Sequence, residues 1–277
     1  MPEDSRYDRN IRLFGRVGQE RICSTRIAVV GAGGLGSHVV QQLAYLGVRM
    51  FVVVDHDVVE MSNLNRLIGA THQDAMRGRS KLDIATRLIS TVCPDAEIDG
   101  IAGHLGNPQT DRRVAAADVI VGCIDNDPTR LALTDLASRK AIPYIDLASD
   151  AGEDGDFVWY GGRVVVAEGG RRCLSCCGEL NQGALALESM SEEQRQADRA
   201  IYGVDRAVLG GIGPSVVSIN GVVASLAVTE LLALVTGLRE PIGHLVYRGD
   251  RGIVTTREDP PPGNCYYCST LFGSERK

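Results

Sequence analysis

Residues Ile27-Ala28-Val29-Val30-Gly31-Ala32-Gly33-Gly34-Leu35-Gly36, continued by Val53-Val54-Asp55-His56-Asp57 and Ser62-Asn63-Leu64-Asn65-Arg66, decide how this chain is read. An apolar run without polar alternation ends at Gly31, glycines follow at the GxGxxG spacing, and a helix-like pattern begins at Ser37. That order is strand, phosphate turn, helix. Gly31 permits the tight turn, Gly33 and Gly34 let backbone approach a phosphate, and Gly36 lets the helix pack on the strand; the helix N-terminus supplies N–H groups and positive partial charge. A second strand, Phe51 to Val54, closes on Asp55, where a βαβ unit places the carboxylate that holds a ribose hydroxyl. The stretch is expected to hold a nucleotide.

A dehydrogenase needs little beyond Asp55. This chain adds a second carboxylate, Asp57, then Asn63 and Arg66, then Lys81 after a Gly/Ser turn. Cations beside a phosphate site suit a reaction in which phosphate charge changes.

With 277 residues, 44% hydrophobic and 23% charged, the chain has the composition of an ordinary soluble protein. A net charge of -6 argues against a nucleic-acid partner. The acidic start Met1-Pro2-Glu3-Asp4 and the lack of an apolar core after it predict no secretion signal and a cytoplasmic protein. From Ala207 to Leu238 the only charged residue is Glu230, enough for a membrane span. Ser215, Ser218, Asn220, Ser225 and Thr229 punctuate that stretch, however, and Gly213-Pro214 reads as the start of a buried soluble helix.

Of eight cysteines, Cys173 with Cys176 and Cys265 with Cys268 form two CxxC pairs, the four thiolates of a closed structural zinc site. Cys23, Cys93 and Cys123 sit in apolar contexts and are expected to be packing residues. Cys177 is left unassigned.

Along the chain, residues 1–26 form an arm with Arg6, Tyr7 and Arg9 ahead of an amphipathic stretch from Val17 to Ile22. Residues 27–150 alternate strands and helices as a nucleotide-binding core. Val119 to Cys123 is a buried strand with Asp125 and Asn126 just past its carboxyl end, where ligands bind in open parallel sheets; Asp127-Pro128 starts the next helix. Residues 151–277 change pattern. Phe157 to Ala167 is β-rich and interrupted by Gly161-Gly162, which suggests an antiparallel pair, and residues 179–212 form a long polar connection of the kind that is functional. The expected fold is α/β: a Rossmann-like, mostly parallel sheet with flanking helices, an antiparallel C-terminal extension and a zinc-stapled tail, in one continuous domain.

In this ordered set, from Arg6-Tyr7-Asp8-Arg9 through Gly18-Gln19, the glycine turn, Asp55 and Asp57, Ser62 to Arg66, Lys81, Asp125-Asn126 and both CxxC pairs, the chain resembles the adenylating enzymes typified by ThiF, MoeB and HesA and the ubiquitin-activating enzymes. The resemblance implies that ATP is bound with Asp55 on the ribose, Asn63, Arg66 and Lys81 on the phosphates and Asp125 on magnesium. It also implies a homodimer in which Arg9 reaches the partner's ATP. Residues 201–205 and 213–221 look most like stand-alone bacterial relatives associated with ubiquitin-like conjugation. Two departures stand out. Leu67 replaces the usual Gln after the Arg, and residues 178–264 contain no cysteine where thioester-forming members carry their nucleophile. Cys177 is then the remaining cysteine for a thioester on this chain, and the preferred expectation is direct transfer to an external thiol.

The chemistry stands without the family. A C-terminal carboxylate, with a reference pKa of roughly 3.5, is already a nucleophile at neutral pH and needs no general base. It needs an in-line approach to the α-phosphorus of ATP, with magnesium and cations screening repulsion. Asp125, Arg66, Lys81 and Arg9 suit that task, and no P-loop GxxxxGK[ST] is present. The leading expectation is an adenylyltransferase acting on the C-terminal glycine of a ubiquitin-like protein, with a sulfur-carrier protein as the alternative and a conjugating enzyme or sulfur donor downstream. An NAD-dependent oxidoreductase and a catalytically inactive partner subunit are the competing classes. The first is disfavoured by the later Arg, Lys and Asp, the second by the presence of Arg66, Lys81 and Asp125 together.

Overall fold

The computed structural model describes residues 6–154, 157–180, 215–258 and 264–275. The long polar connection of residues 179–212 lies almost wholly outside them.

One sheet of eight strands organises the molecule, in the order β3-β2-β1-β4-β5-β6-β7-β8. Strands β1 (Arg26–Val30), β2 (Met50–Val54), β3 (Glu97–Ile101) and β4 (Val119–Gly122) run parallel, as does the start of β5 (Tyr144–Asp154) beside β4. The runs Ile27–Val30 and Val119–Gly122 are apolar without alternation because helices cover both faces of this half. The chain moves outward from β1 to β3 and then returns to place β4 on the other side of β1. The crevice this reversal opens at the strands' carboxyl ends is where an α/β sheet binds its ligand.

The second half of the sheet is antiparallel. β6 (Phe157–Ala167) pairs with β5 from Tyr144↔Ala167 to Asp154↔Phe157, and β7 (His244–Arg248) and β8 (Ile253–Thr256) follow. Gly161-Gly162 does not interrupt β6. Both lie mid-strand between β5 and β7, where a Cβ would collide with the Tyr247 and Ala148 carbonyls. They mark close backbone approach, not a turn. β5 also runs through the 150/151 boundary without a break.

Helices α1 (Asp8–Ser24), α2 (Gly34–Leu46), α4 (Lys81–Val92) and α7 (Val217–Thr236) cover one face, with Ile22, Val39, Leu43, Ile89, Val223 and Leu231 in the core. The short α3 (His72–Met76) precedes α4. On the other face, α5 (Pro108–Val114) and α6 (Asp127–Lys140) bury Val114, Leu133 and Ala137 beside Tyr144, Leu174 and Leu180. The arm is helical over most of its length, with a break at Gly15 (φ 71°). Tyr7 is buried against Gly47 at the carboxyl end of α2, and Gln19 Nε2 donates to the Leu46 carbonyl at 2.8 Å.

α7 is long and apolar enough to cross a membrane, yet it packs against α1, α2, β5 and β6. Its Glu230 is buried and accepts both Arg239 guanidinium N–H groups (2.6 and 2.7 Å) and the Ile242 N–H at 2.7 Å. A buried carboxylate with that many donors is a core ion pair.

Candidate active site

The phosphate turn is built by contacts that exclude side chains. Gly31 has φ +91°, its N–H donates to Val54 O at 2.8 Å, and a Cβ there would sit 2.5 Å from the Cys123 carbonyl oxygen. A Cβ on Gly36 would strike the Gly31 carbonyl, which is how α2 comes close to β1. Gly33, the N-cap of α2, faces open space: an added Cβ meets nothing within 4 Å. The first N–H groups of α2 and the positive end of its dipole therefore open on a cleft of about 530 Å³, within the size range of small-ligand sites.

Asp55, at the end of β2, is 7% exposed. Its Oδ2 accepts the Ala32 N–H (2.6 Å) and its Oδ1 the Asp57 N–H (2.8 Å). One carboxylate thus pins the phosphate turn to the β2 end while lining the cleft. Asp57 pairs with Lys81 Nζ at 2.8 Å, and that hydrogen bond holds its carboxyl below the usual carboxylate range. Lys81 is placed by the N-cap of α4, where Ser80 Oγ accepts the Leu82 N–H at 3.1 Å. His56 and His104 lie in contact, with ring centroids 3.8 Å apart and planes tilted by 39°, and both line the cleft.

The segment between β2 and α4 brings two more expected residues to the wall. Asn63 Oδ1 accepts the Glu60 N–H (3.1 Å), closing a capping box around the Met61–Asn63 turn. Arg66 Nη1 donates to Ser62 O (2.8 Å) and Asn65 Oδ1 (3.0 Å), so its guanidinium is steadied from its own loop. Leu67 is buried in a small cluster with Val59 and Ile84 that anchors this loop. An apolar residue at this position thereby adds to the packing of the loop and removes no charge.

Asp125 is exposed on the cleft just past β4 and makes no hydrogen bond or ion pair with the described residues. Its carboxylate oxygens are available to a cation. Asn126 also lines the cleft while it caps α6, its Oδ1 accepting the Thr129 N–H at 2.9 Å.

Sequence reasoning missed the charge chain behind this wall. Arg130 bonds Asp127 Oδ1 (3.0 Å) and Ile124 O (2.9 Å), with Nε 3.5 Å from Asp146 Oδ2. Asp146, wholly buried, accepts from Tyr144 (2.5 Å) and Arg163 (2.6 Å), and Arg163 reaches Glu179 at 2.5 Å. The signal was Asp146 and Arg163 each interrupting an apolar strand: two opposite charges in neighbouring strands imply a buried pair.

Arg9 is exposed on α1 and does not line the cleft. Its neighbour Tyr7 sits at the carboxyl end of α2, a helix of 13 residues and so about 20 Å long, whose other end is the phosphate turn.

Cys173, Cys176, Cys265 and Cys268 converge, with Sγ atoms 3.7 Å (173 to 176), 3.6 Å (173 to 265) and 3.9 Å (176 to 268) apart. A tetrahedron with Zn–S of about 2.3 Å has edges of about 3.8 Å, so the set fits zinc with no position left for water. Cys177 is 2% exposed, in the core cluster with Leu174 and Leu180, and is not among the residues lining the cleft. A larger recess of about 850 Å³ lies between α5, α6 and the tail. It has no phosphate turn, and four of its charges, Arg139, Lys140, Asp135 and Glu275, are mutually paired, which leaves the β1/β4 crevice the better candidate site.

Comparison with known proteins agrees with this geometry. The chain is 39% identical over 142 residues to the SAMP-activating enzyme E1 of Haloferax volcanii, which is 50% of this chain and 52% of that protein's length. It is 28% identical over 246 residues to the sulfur carrier protein ThiS adenylyltransferase of Escherichia coli, covering 87% of this chain and 84% of that protein. The structure of E. coli MccB with ATP superposes with a TM-score of 0.72 over 95% of this chain and 74% of MccB, at 20% identity, which speaks to the fold alone. The ThiF family profile matches residues 7–265, and this chain belongs to that family.

Proposed function

We propose that this protein adenylates the C-terminal carboxylate of a ubiquitin-like or sulfur-carrier protein, using ATP. The observation that carries the reading is the convergence on one cleft at the β1/β4 crossover of a phosphate turn, two cations and Asp125, a carboxylate with no partner among the described residues. A nicotinamide enzyme would have no use for Lys81, Arg66 and Asp125 together. The names of the relatives, an E1 for one carrier and an adenylyltransferase for another, fit both carrier classes.

In this reading ATP lies with its ribose toward Asp55 and its phosphates over Gly33 and the α2 N-terminus. Lys81 leaves Asp57 for a phosphate oxygen, and Asn63 and Arg66 close from the facing loop. Asp125 would hold magnesium, which supplies charge neutralisation at the phosphates. A carboxylate oxygen of the carrier attacks the α-phosphorus, the bond from that phosphorus to the bridging oxygen breaks, and pyrophosphate leaves with the electron pair. The resulting acyl-adenylate is attacked at its acyl carbon by an external thiolate, so that AMP leaves and a thioester forms. Cys177 is 2% exposed among Leu174 and Leu180 and does not line the cleft, which supports an external thiol.

Arg9 does not line its own cleft, and Tyr7 just before it packs at the far end of α2, which supports a homodimer in which Arg9 serves the partner's site. Zinc at the four cysteines would tie the tail to the body of the protein. The test is product analysis with α-labelled ATP. AMP and pyrophosphate should form only with a carrier bearing a free C-terminal glycine, and release of ADP instead would defeat the reading. A gel run with and without reductant then checks the thiol step. A reductant-sensitive adduct on this chain, lost in Cys177→Ser, would overturn direct transfer.

A further inference from the structure

Asn220 is wholly buried in the first turn of α7, and its amide joins three parts of the site. Its Oδ1 accepts the Ser149 hydroxyl of β5 at 2.7 Å, and its Nδ2 donates to Ser215 Oγ at 3.0 Å. The same Nδ2 fills the space beside Gly34, where an added Cβ would collide with it. Gly34, Ser149 and Ser215 all line the cleft.

The amide sets the polarity of both hydroxyls. Ser149 spends its proton on Oδ1. Ser215 receives an N–H on a lone pair, and its own O–H, which finds no acceptor among the described residues, is left to donate. Position says to what. The sheet order β2-β1-β4-β5 puts Asp55 on one side of the phosphate turn and Ser149 on the other. A nucleotide with its ribose at Asp55 and its phosphates over the turn leaves the β5 side to whatever approaches the α-phosphorus.

We propose that the Ser215 hydroxyl donates to the acyl oxygen of the substrate's terminal carboxyl group, and that Asn220 is the positioning residue that aims it. This rests on the adenylation reading above. It assigns the β5 side of the cleft to the acyl group and gives Gly34 a second reason to lack a side chain.

The test compares two probes by calorimetry: sulfamoyladenosine and glycyl-sulfamoyladenosine, which differ only in the acyl group. Ser215→Ala and Asn220→Ala should weaken the glycyl compound about tenfold and change sulfamoyladenosine by less than about twofold, as expected for loss of one hydrogen bond to the acyl group. Ser215→Thr, which keeps the hydroxyl, should restore the difference. Equal weakening of both probes, as from a merely structural role, or no weakening of the glycyl compound by Ser215→Ala, would overturn the proposal. Wild-type protein that binds ATP but neither analogue would instead defeat the adenylation reading itself.

Discussion

Asp74 illustrates how single residues hold this site in place. Buried in α3, it accepts both Nη groups of Arg87 on α4 (3.0 and 2.7 Å) and the Thr71 N–H (2.8 Å), while Arg87 also reaches the Gly69 carbonyl at 2.7 Å. The loop bearing Arg66 is thereby fastened to the helix bearing Lys81. The Arg87 hydrogen bonds, then the Thr71 hydroxyl, push the Asp74 carboxyl well below its ordinary value. A depressed carboxyl stabilises the fold fully above its unfolded pKa of about 3.9, and the contribution is lost as pH falls from there toward the folded value. Asp74→Asn should cost about 2 kcal/mol near neutrality, at the low end for such a pair because Arg87 is 43% exposed. Thermal melts from pH 7 to pH 3 should show the gap to wild type closing only below about pH 4. A gap that stays constant to pH 3 would mean that the pair does not set the stability.

At the scale of elements, the difference between what was legible and what was not is a matter of distance along the chain. Gly31, Gly33, Gly36 and Asp55 form a local pattern whose physical meaning survives without the rest of the molecule. Ser80 ahead of Lys81 reads as a helix start for the same reason, and the structure begins α4 there. Gly161-Gly162 was misleading because glycine serves turns and close strand contact alike, and only β5 and β7 on either side decide between them. Asn220, Arg130 and Glu179 could not be read as site residues, since each matters through partners supplied by other elements. The four-cysteine cluster is the exception, a distant pairing announced by spacing. It joins the turn at Cys173–Cys177, packed under α6, to the tail, whose Gly273 N–H donates to Ser138 O of α6 at 2.8 Å. Chelation or Cys268→Ser should therefore loosen the tail from α6, read as faster amide exchange at residues 264–275 while β1 and α2 stay protected. Metal analysis of freshly purified, reduced protein should find one zinc per chain. Zinc-free protein with an unchanged exchange pattern would refute the staple.

The whole molecule divides its sheet by task. The parallel half carries the proposed nucleotide site, and the antiparallel half carries Ser149 on its first strand and the charge chain through Arg163 and Glu179. The proposed role of Arg9 belongs to this scale: Tyr7, two residues before it, is seated at the far end of α2, and Arg9 would act in a partner's cleft. Arg9→Ala and Asp125→Ala proteins, each inactive alone, should regain about a quarter of wild-type activity when mixed at equal concentration and allowed to exchange subunits, since a random dimer then holds one intact site in every four. No recovery in subunits shown to exchange would place Arg9 in its own chain's chemistry. The central claim is that a carrier's terminal carboxylate attacks the α-phosphorus of ATP at the β1/β4 crevice, and ATP–pyrophosphate exchange measures that reversible step directly. Exchange should require a carrier with a free C-terminal glycine and fall at least about a hundredfold in Asp125→Ala with the fold intact. It should vanish when the carrier's terminus is amidated. Exchange that persists with the amidated carrier, or is unchanged by Asp125→Ala, would contradict the account.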